Sequence, residues 1–424
     1  MPRQLTFIHA ADLHLGAPFR GLRALSPVWA DRLIGAIPRA WDRIVDEAVS
    51  RSVDFVVVAG DIFDDAGASY ADYRRFFAGI ERLGAAGIPA YLCTGNHDPY
   101  VLWQQDFFAL PENAVMLAAD RPGFVLHERD GEPLCVIGGR GFFNSVWSDD
   151  RSIAHGVTRA AAERELGPHA AAAPFGVGVL HTGLHLDPRK APADPQELLR
   201  AGFDYWALGH IHRRWVDSEE NPRIAFSGCI QARDVKETGQ RGINVVTLTE
   251  GAPNQVEFVP TADVVWERLS VDVSACDTIP AIADVISRAQ FAASGRVRCE
   301  DMVFRVALTG ATPLHDMFAR PDVIEDVRAT VNDAYAPFFI DVLANETTRP
   351  IDRDALREEG LFPAVLLQTA AALRDDRDAQ VSYLQEEFLE RGLSLSPAPL
   401  SEIDKLSAEA EELVLDLILQ GGAS

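Results

Sequence analysis

The chain has 424 residues, 47% of them hydrophobic, which is enough for more than one domain with a substantial core. Its formal net charge of −24 argues against a free-standing surface that binds DNA strongly, because Lys and Arg make phosphate contacts. No run of about 18 apolar residues occurs, so no membrane span is expected. Five scattered cysteines lack a CxxC pair, which argues against a disulfide framework. We expect reduced thiols, a cytoplasmic location and no signal peptide.

The acidic residues are unevenly distributed. Residues 1–260 carry 25 Lys/Arg and 33 Asp/Glu, a net charge of −8. Residues 261–424 carry 14 and 30, a net charge of −16. Most of the excess acid therefore lies outside the part of the chain that carries the polar motifs described below.

Apolar patterns in residues 1–260 predict strands alternating with helices. Trp41 to Val49 and Tyr73 to Leu83 show helical spacing, while residues 53–59 form an apolar run rich in β-branched residues, typical of a strand buried on both faces. Reactive groups in such sheets lie on loops beyond the strand ends. Strands are predicted at 5–10, 53–59, 89–94, 134–137, 176–180, 204–208, 223–226 and 242–248.

The remainder of the chain changes in character. Residues 268–345 are predicted to form a small α+β domain, and residues 350–424 a charged helical region. The first 260 residues would form a separate domain. The predicted order after residue 268 is strand 269–273, helix 279–290, strand 302–308, helix 321–334 and strand 338–343, followed by helices at 361–373, 381–389 and 403–419.

Five short motifs each follow a predicted strand and supply Asp, Asn or His. Oxygen and imidazole donors in this mixture suit divalent ions such as Mn²⁺, Fe²⁺ or Zn²⁺. The absence of cysteine argues against a structural zinc site. Each motif alone has an ordinary explanation as a turn or a buried histidine, but all five in this order indicate a metal site. The motifs are Asp12-Leu13-His14, Gly60-Asp61, Gly95-Asn96-His97-Asp98, His181 and Gly209-His210-Ile211-His212.

The spacing within the motifs suggests how the side chains are aimed. Asp12 and His14 are two residues apart, so on an extended segment both would project from one side. His210 and His212 have the same relation. We therefore expect each pair to face one cleft.

Glycines precede Asp61, Asn96 and His210, and we expect them to allow turn conformations closed to other residues. Two adjacent metal ions need a bridging carboxylate, and Asp61 is the best candidate because it is the sole acid directly at its strand end. The nearby acids Asp64 and Asp65 are expected to be solvated.

In this order the motifs resemble those of the calcineurin-like metallophosphoesterases, over roughly residues 4–260. The resemblance implies an α+β fold, a four-layer β-sandwich flanked by helices, here with a small α+β capping domain and a C-terminal helical segment. The opening FIHAADLHLG, the AGDIFD motif and the segment SGCIQARDVKETGQRGINVVTL further resemble DNA repair exonucleases. These are nuclease subunits of the SbcD type, and the match looks closest to a shorter exonuclease branch.

The resemblance also implies roles for individual residues. His97 would stabilise charge at the scissile phosphate or protonate the leaving oxygen, and Asp98 would orient it by accepting its other ring proton. Hydroxide activated by two metal ions would be the nucleophile. One ion is assigned to Asp12, His14, Asp61 and His212, and the other to Asp61, Asn96, His181 and His210.

The function implied is a metal-dependent DNA repair exonuclease of 3′-to-5′ polarity, with single-strand endonuclease action as an extension. Mn²⁺ is the expected ion, with Fe²⁺ and Zn²⁺ as alternatives. Arg140, Arg213 and Arg214 are candidates for substrate phosphate binding if they face the cleft, although exposed arginines are usually solvated. A small-molecule phosphodiesterase with the same dinuclear centre is the alternative, suggested by the acidic charge.

DNA is the expected partner, and relatives of this type suggest two protein partners. The C-terminal helices could bind a coiled-coil ABC-type ATPase, or they could simply pack on the protein's own core. A homodimer could form through the helical stripes at Trp41–Val49 or Tyr73–Leu83, but both stripes equally describe helices facing the core.

Overall fold

The computed structural model describes residues 2–18, 26–64, 67–103, 109–184, 190–359, 362–391 and 402–421. The strands are β1 (Gln4–Ala10), β2 (Phe55–Ala59), β3 (Ala90–Cys93), β4 (Ala114–Met116), β5 (Gly123–Arg129), β6 (Glu132–Arg140), β7 (Phe175–His181), β8 (Tyr205–Gly209), β9 (Trp215–Val216), β10 (Ile224–Phe226), β11 (Gly242–Thr249), β12 (Gln255–Pro260), β13 (Val264–Asp272), β14 (Asp301–Ala311) and β15 (Phe338–Thr348). The helices are α1 (Pro27–Arg51), α2 (Tyr70–Ala85), α3 (Arg159–Leu166), α4 (Pro168–Ala171), α5 (Pro195–Arg200), α6 (Ile279–Ser294), α7 (His315–Phe318), α8 (Pro321–Ala334), α9 (Arg353–Glu359), α10 (Phe362–Asp375), α11 (Arg377–Glu390) and α12 (Ile403–Gly421), with a 3₁₀ turn at Tyr100–Leu102.

Two six-stranded mixed sheets form the framework of the first unit. The first has the order β12-β11-β1-β2-β3-β4, with β1 to β4 parallel and β11 antiparallel to both neighbours. The second has the order β5-β6-β7-β8-β10-β9, with β6, β7, β8 and β10 parallel. Parallel strands place their carboxyl ends at one edge of each sheet, which is where ligands can be gathered.

The alternation of side chains along β2 explains why the sheets stack with helices outside. Val56 and Val58 pack in one cluster with Trp41 of α1 and Phe76 of α2. The intervening Val57 packs in another cluster, with strand residues of the second sheet. A third cluster joins the far face of the second sheet to α3, α4 and α5. The predicted α+β sandwich of two sheets between helix layers is confirmed.

Helices α1 and α2 begin at capping residues and bury their apolar stripes. The Ser26 hydroxyl caps α1 by accepting from the backbone of Trp29, and Ser69 forms a capping box with Asp72 at the start of α2. The stripes containing Trp41 and Phe76 are buried in the core. Both stripes therefore face the protein's own core, the second of the two alternatives given for them, and homodimerisation stays a prediction.

A second compact unit comprises residues 269–292, 305–336 and 342–424. The third sheet has the order β13-β14-β15 and follows the predicted alternation of strands with helices α6 and α8. In the helical region, the buried Glu411 carboxylate lies 2.6 Å from Arg374 and 3.2 Å from Arg353. The domain limits 1–260, 268–345 and 350–424 stay predictions. Across the described ranges, every helix is too short or too polar to traverse a bilayer.

Candidate metal centre

The expected ligands lie at the carboxyl ends of neighbouring strands in both sheets. Asp12 and Asp61 follow β1 and β2 by two residues, and Asn96 follows β3 by three. His181 ends β7, and His210 directly follows β8. The backbone N–H of His210 donates to the Asp12 carboxylate at 3.0 Å, which ties a loop of the second sheet to a loop of the first. The structure thus brings the motifs together at one edge of the sandwich.

Asp12, His14 and His212 form one group of metal-ligand atoms, which we call the first group. His14 Nε2 lies 3.1 Å from His212 Nε2. The opposite ring atoms face carboxylates: His14 Nδ1 lies 3.0 Å from Asp64 Oδ1, and His212 Nδ1 lies 2.5 Å from Glu237 Oε1. When these carboxylates accept the Nδ1 protons, the two Nε2 lone pairs face one another, an arrangement that a cation between them would stabilise.

Asp61, His181 and His210, with the amide of Asn96, form the second group. His181 Nδ1 donates to the Ala59 carbonyl at 3.0 Å, so its Nε2 faces the group. That Nε2 lies 3.2 Å from Asn96 Oδ1 and 3.3 Å from Asp61 Oδ2. The same Asn96 oxygen is 3.1 Å from His210 Nδ1. Acceptor atoms again converge, and either a proton on His181 or a cation satisfies them.

Asp61 lies between the two groups. Its Oδ2 is 3.3 Å from His181 Nε2 in the second group and 3.8 Å from His14 Nε2 in the first. Burial opposes ionisation of Asp61, but the neighbouring imidazoles, His181 above all, outweigh it and lower its pKa. An ionised carboxylate facing both groups fits two divalent cations that share one ligand.

Four of these residues have left-handed backbones: φ is 51° at Asp12, 47° at His14, 49° at Asp61 and 98° at His210. The sequence pattern was interpreted as extended, and that interpretation was wrong for the two D-x-H and H-x-H pairs. Non-glycine residues held in this region cost roughly 1–3 kcal/mol each and cluster at functional sites. Convergence is therefore achieved by tight turns after the strands and not by alternation along them.

The three glycines serve two different needs. Gly60 has φ +84°, the conformation expected of a glycine turn. Gly95 and Gly209 instead provide space. A Cβ at Gly95 would lie 2.5 Å from Asp61 N, and one at Gly209 would lie 2.9 Å from His181 Nδ1. The backbone must approach these ligands more closely than a methyl group permits.

The contacts of Asp98 differ from those expected. Both of its oxygens accept backbone N–H groups, from Asp61, residues 62–63 and Gly95, at 2.8 to 3.4 Å. The carboxylate against the His97 ring is that of Asp64, 3.4 Å from Nδ1. The expectation that Asp98 accepts the His97 ring proton is therefore corrected. Asp98 holds the loop that carries Asp61, and Asp64 faces the ring.

Asp64, Arg233 and Glu237 are the residues near the site that the sequence did not single out as ligand partners. Asp64 was expected to be solvated, but its carboxylate is only 15% exposed and accepts from His14 Nδ1 and, at 3.1 Å, from Arg233 Nη1. Asp65 lies outside the described residues. Asp64 lies three residues past Asp61 in the same turn, a spacing that could have indicated it. Arg233 and Glu237 fall inside the segment that carries the family resemblance, where Arg233 was considered only as a possible contact to substrate phosphates.

The three candidate phosphate-binding arginines have different surroundings. Arg140 donates to the Ala119 and Asp120 carbonyls and lies over the Trp147 ring, which indicates a structural role that the sequence did not predict. Arg214 donates to the Asn244 side chain at 2.9 Å and covers the Phe258 ring. Arg213, beside His212, is exposed. Substrate binding by any of the three stays a prediction.

The fold and these two groups define a metallophosphoesterase. The chain belongs to the calcineurin-like phosphoesterase family, whose model matches residues 5–214. Members of this family use a dinuclear divalent metal centre. Residues 266–348 match the middle domain of the metallophosphoesterase YhaO.

The relatives are consistent with the DNA repair nuclease branch of the superfamily. The uncharacterized metallophosphoesterase YhaO of Bacillus subtilis is 33% identical over 290 residues, covering 68% of this chain and 67% of YhaO. The DNA double-strand break repair protein Mre11 of Thermoplasma acidophilum is 25% identical, covering 58% of this chain and 62% of Mre11. The SbcD subunit of the nuclease SbcCD of Escherichia coli is 28% identical, covering 31% of this chain and 32% of SbcD. The chain spans less than two thirds of the length of both nuclease-branch relatives.

Proposed function

We propose that this chain is a metal-dependent nuclease that hydrolyses phosphodiester bonds in DNA and removes nucleotides from 3′ ends. The observation that carries the proposal is the convergence of two acceptor groups on the Asp61 carboxylate, with His97 beside them. The similarity to Mre11 and to SbcD supports DNA as the substrate. Single-strand endonuclease action is part of the same proposal.

Two bound ions, for which we propose Mn²⁺ over Fe²⁺ or Zn²⁺, would activate water near neutral pH and neutralise phosphate charge. The protein's residues supply orientation and a proton. His97 is 34% exposed, whereas the side chains of Asp12, His14, Asp61 and His181 are at most 2% exposed. His97 is thus on the open side of the site, where a phosphate would enter. With Nδ1 turned to Asp64, its Nε2 would donate the proton to the leaving oxygen.

Digestion of linear duplex DNA labelled at its 3′ or 5′ ends, with and without Mn²⁺, tests the proposal. The wild type is expected to release label from 3′ ends only when Mn²⁺ is present. Asp61→Ala should abolish cleavage, and His97→Ala should slow it by about 10²- to 10⁴-fold. His169→Ala is the matched control, because this exposed histidine pairs with Glu128. Absence of any Mn²⁺-dependent loss of DNA from the wild type contradicts the proposal.

The acidic charge supports a second candidate, a small-molecule phosphodiesterase with the same centre. A net charge of −24 repels the DNA backbone and leaves a compact phosphodiester less affected. Comparison of kcat/KM for bis-p-nitrophenyl phosphate, cyclic nucleotides and DNA separates the two. A preference for cyclic nucleotides over DNA by several orders of magnitude would establish the second candidate instead.

We also propose that helices α10 and α12 bind a coiled-coil ABC-type ATPase. The Escherichia coli relative is named as one subunit of a nuclease. Apolar side chains are exposed on both helices, among them Phe362, Val365, Leu413 and Leu417. Co-purification with a coiled-coil ATPase, lost in Leu413→Glu, is the expected result; no retention on such a partner contradicts it. Homodimerisation and a cytoplasmic location stay predictions, and the five unpaired cysteines support the latter.

A further inference from the structure

A short turn at residues 233–237, ahead of β11, faces His212 of the first group. The Glu237 carboxylate accepts from His212 Nδ1 through Oε1 at 2.5 Å and from the Arg233 backbone N–H through Oε2 at 2.7 Å. The Glu237 side chain is 16% exposed. Both oxygens are thus committed, one to the ring and one to the turn's own backbone.

The buried Arg241 side chain holds the turn against the backbone of His212. Its guanidinium donates to the His212 carbonyl at 2.7 Å, to the Thr238 carbonyl at 2.8 Å and to the Glu237 carbonyl at 3.4 Å. His212 is therefore fixed twice by the same segment, at its main chain through Arg241 and at its ring through Glu237. Two fixed points leave the imidazole little freedom to rotate.

The same turn reaches the other histidine of the first group. Arg233 Nη1 donates to Asp64 Oδ1 at 3.1 Å, and that oxygen accepts from His14 Nδ1 at 3.0 Å. His14 and His212 are consequently held from their Nδ1 sides, and their Nε2 atoms face each other at 3.1 Å. Carboxylates that accept the second ring proton of a metal-binding histidine set its tautomer and increase its basicity.

We propose that Glu237 is a positioning residue of the first group, which holds His212 as the Nδ1-protonated tautomer and aims its Nε2 at the metal ion. The inference rests on the metal centre of the proposed function and is independent of whether DNA is the substrate. Glutamine at this position would keep an acceptor oxygen but lose the charge, and alanine would remove both.

Titration of the metal-free full chain with Mn²⁺ by calorimetry tests the proposal. The wild type should bind two ions. Glu237→Ala should weaken one of them by about 10- to 100-fold, with Glu237→Gln intermediate. Glu250→Gln is the control, because Glu250 also accepts a backbone N–H and side-chain donors, all from Arg3, at 3.1, 3.3 and 2.9 Å. It should bind both ions as the wild type does. Wild-type affinity for both ions in Glu237→Ala overturns the proposal.

A measurement on the wild type covers the case in which the variants fail to fold. In ¹¹³Cd-substituted protein with ¹⁵N-labelled histidine, the metal is expected to couple to His212 Nε2, and Nδ1 should carry a proton. Coupling through Nδ1 overturns the proposal. If this pattern is observed and DNA is not cleaved, only the choice of substrate fails. If no ion binds at all, both the proposed metal centre and the proposed role of Glu237 are wrong.

Discussion

The substitution Gly95→Ala tests how closely the loops enclose Asp61. In Gly95→Ala the new Cβ would lie 2.5 Å from Asp61 N and 2.8 Å from its Cγ, and closer still to Oδ1. Ordinary contact requires the carboxylate to withdraw by roughly 1 Å, whereas metal ligands tolerate displacements of about 0.2 Å. We expect loss of at least one ion, an overpacking cost of about 1–3 kcal/mol and a fall in activity of about 10² or more.

Thermal unfolding with and without Mn²⁺ separates loss of metal from loss of stability. At about 100 times its dissociation constant, an ion adds about 2.7 kcal/mol to the wild type, which raises Tm by several degrees. Gly95→Ala should lose much of this rise. Gly87→Ala is the control: its methyl meets nothing within 4 Å, but a φ of +75° costs it about 1–2 kcal/mol. Its Tm should fall while the Mn²⁺ effect persists. A full Mn²⁺ effect in Gly95→Ala would refute the reasoning.

Three further results are expected. His97→Gln should bind both ions with unchanged affinity, measured by calorimetry, while losing about 10²- to 10⁴-fold in kcat; weakened binding would make His97 a ligand. Burial opposes the charge of His181, but the interactions with Asp61 and its other neighbours outweigh burial and raise the pKa of His181 to about 9. Binding of metal ions at pH 7 should therefore release about one proton, and the affinity for metal should fall as the pH is lowered. Calorimetry in buffers of different ionisation enthalpy measures the proton release, and its absence contradicts the raised pKa. Burial lowers the pKa of His9 to about 3, below the ordinary value, so below pH 6.5 only the unfolded chain takes up this proton. The free energy of unfolding should therefore decrease as the pH is lowered, by about 2 kcal/mol at pH 5. In His9→Gln, the free energy of unfolding in urea should depend less steeply on pH, and an equal dependence contradicts the assignment to His9.

Continuous apolar runs and the polar residues at strand ends were sufficient to predict much of the fold and the residues of the site. Residues 53–59 were expected to form a doubly buried strand, and β2 (Phe55–Ala59) is fully buried between two clusters. The D-x-H, GD, GNHD and GHIH motifs pointed to the side chains that the structure brings together. Chemical type and strand position were readable because both are local properties of the chain.

Contacts that depend on tertiary packing were not readable. The left-handed backbone at Asp12 and His14 could not be predicted, because neither position is a glycine. Glu237 is hydrogen-bonded to His212, 25 residues away in the sequence, and Asp64 is hydrogen-bonded to Arg233, 169 residues away. The edge strand β12 was not predicted, because the alternation of polar and apolar residues from Gln255 to Phe258 is too short to stand out. The sequence indicates which atoms could bind an ion, but the fold decides which neighbours hold them.

Each group of ligands draws on both halves of the sandwich. Asp12 and His14 come from the first sheet and His212 from the second, while Asp61 comes from the first and His181 from the second. Each ion would therefore cross-link the two sheets, and neither half of the sandwich could coordinate either ion alone. Any sliding of one sheet over the other would disturb both ions at once, so occupancy of the centre and rigidity of the sandwich should rise and fall together.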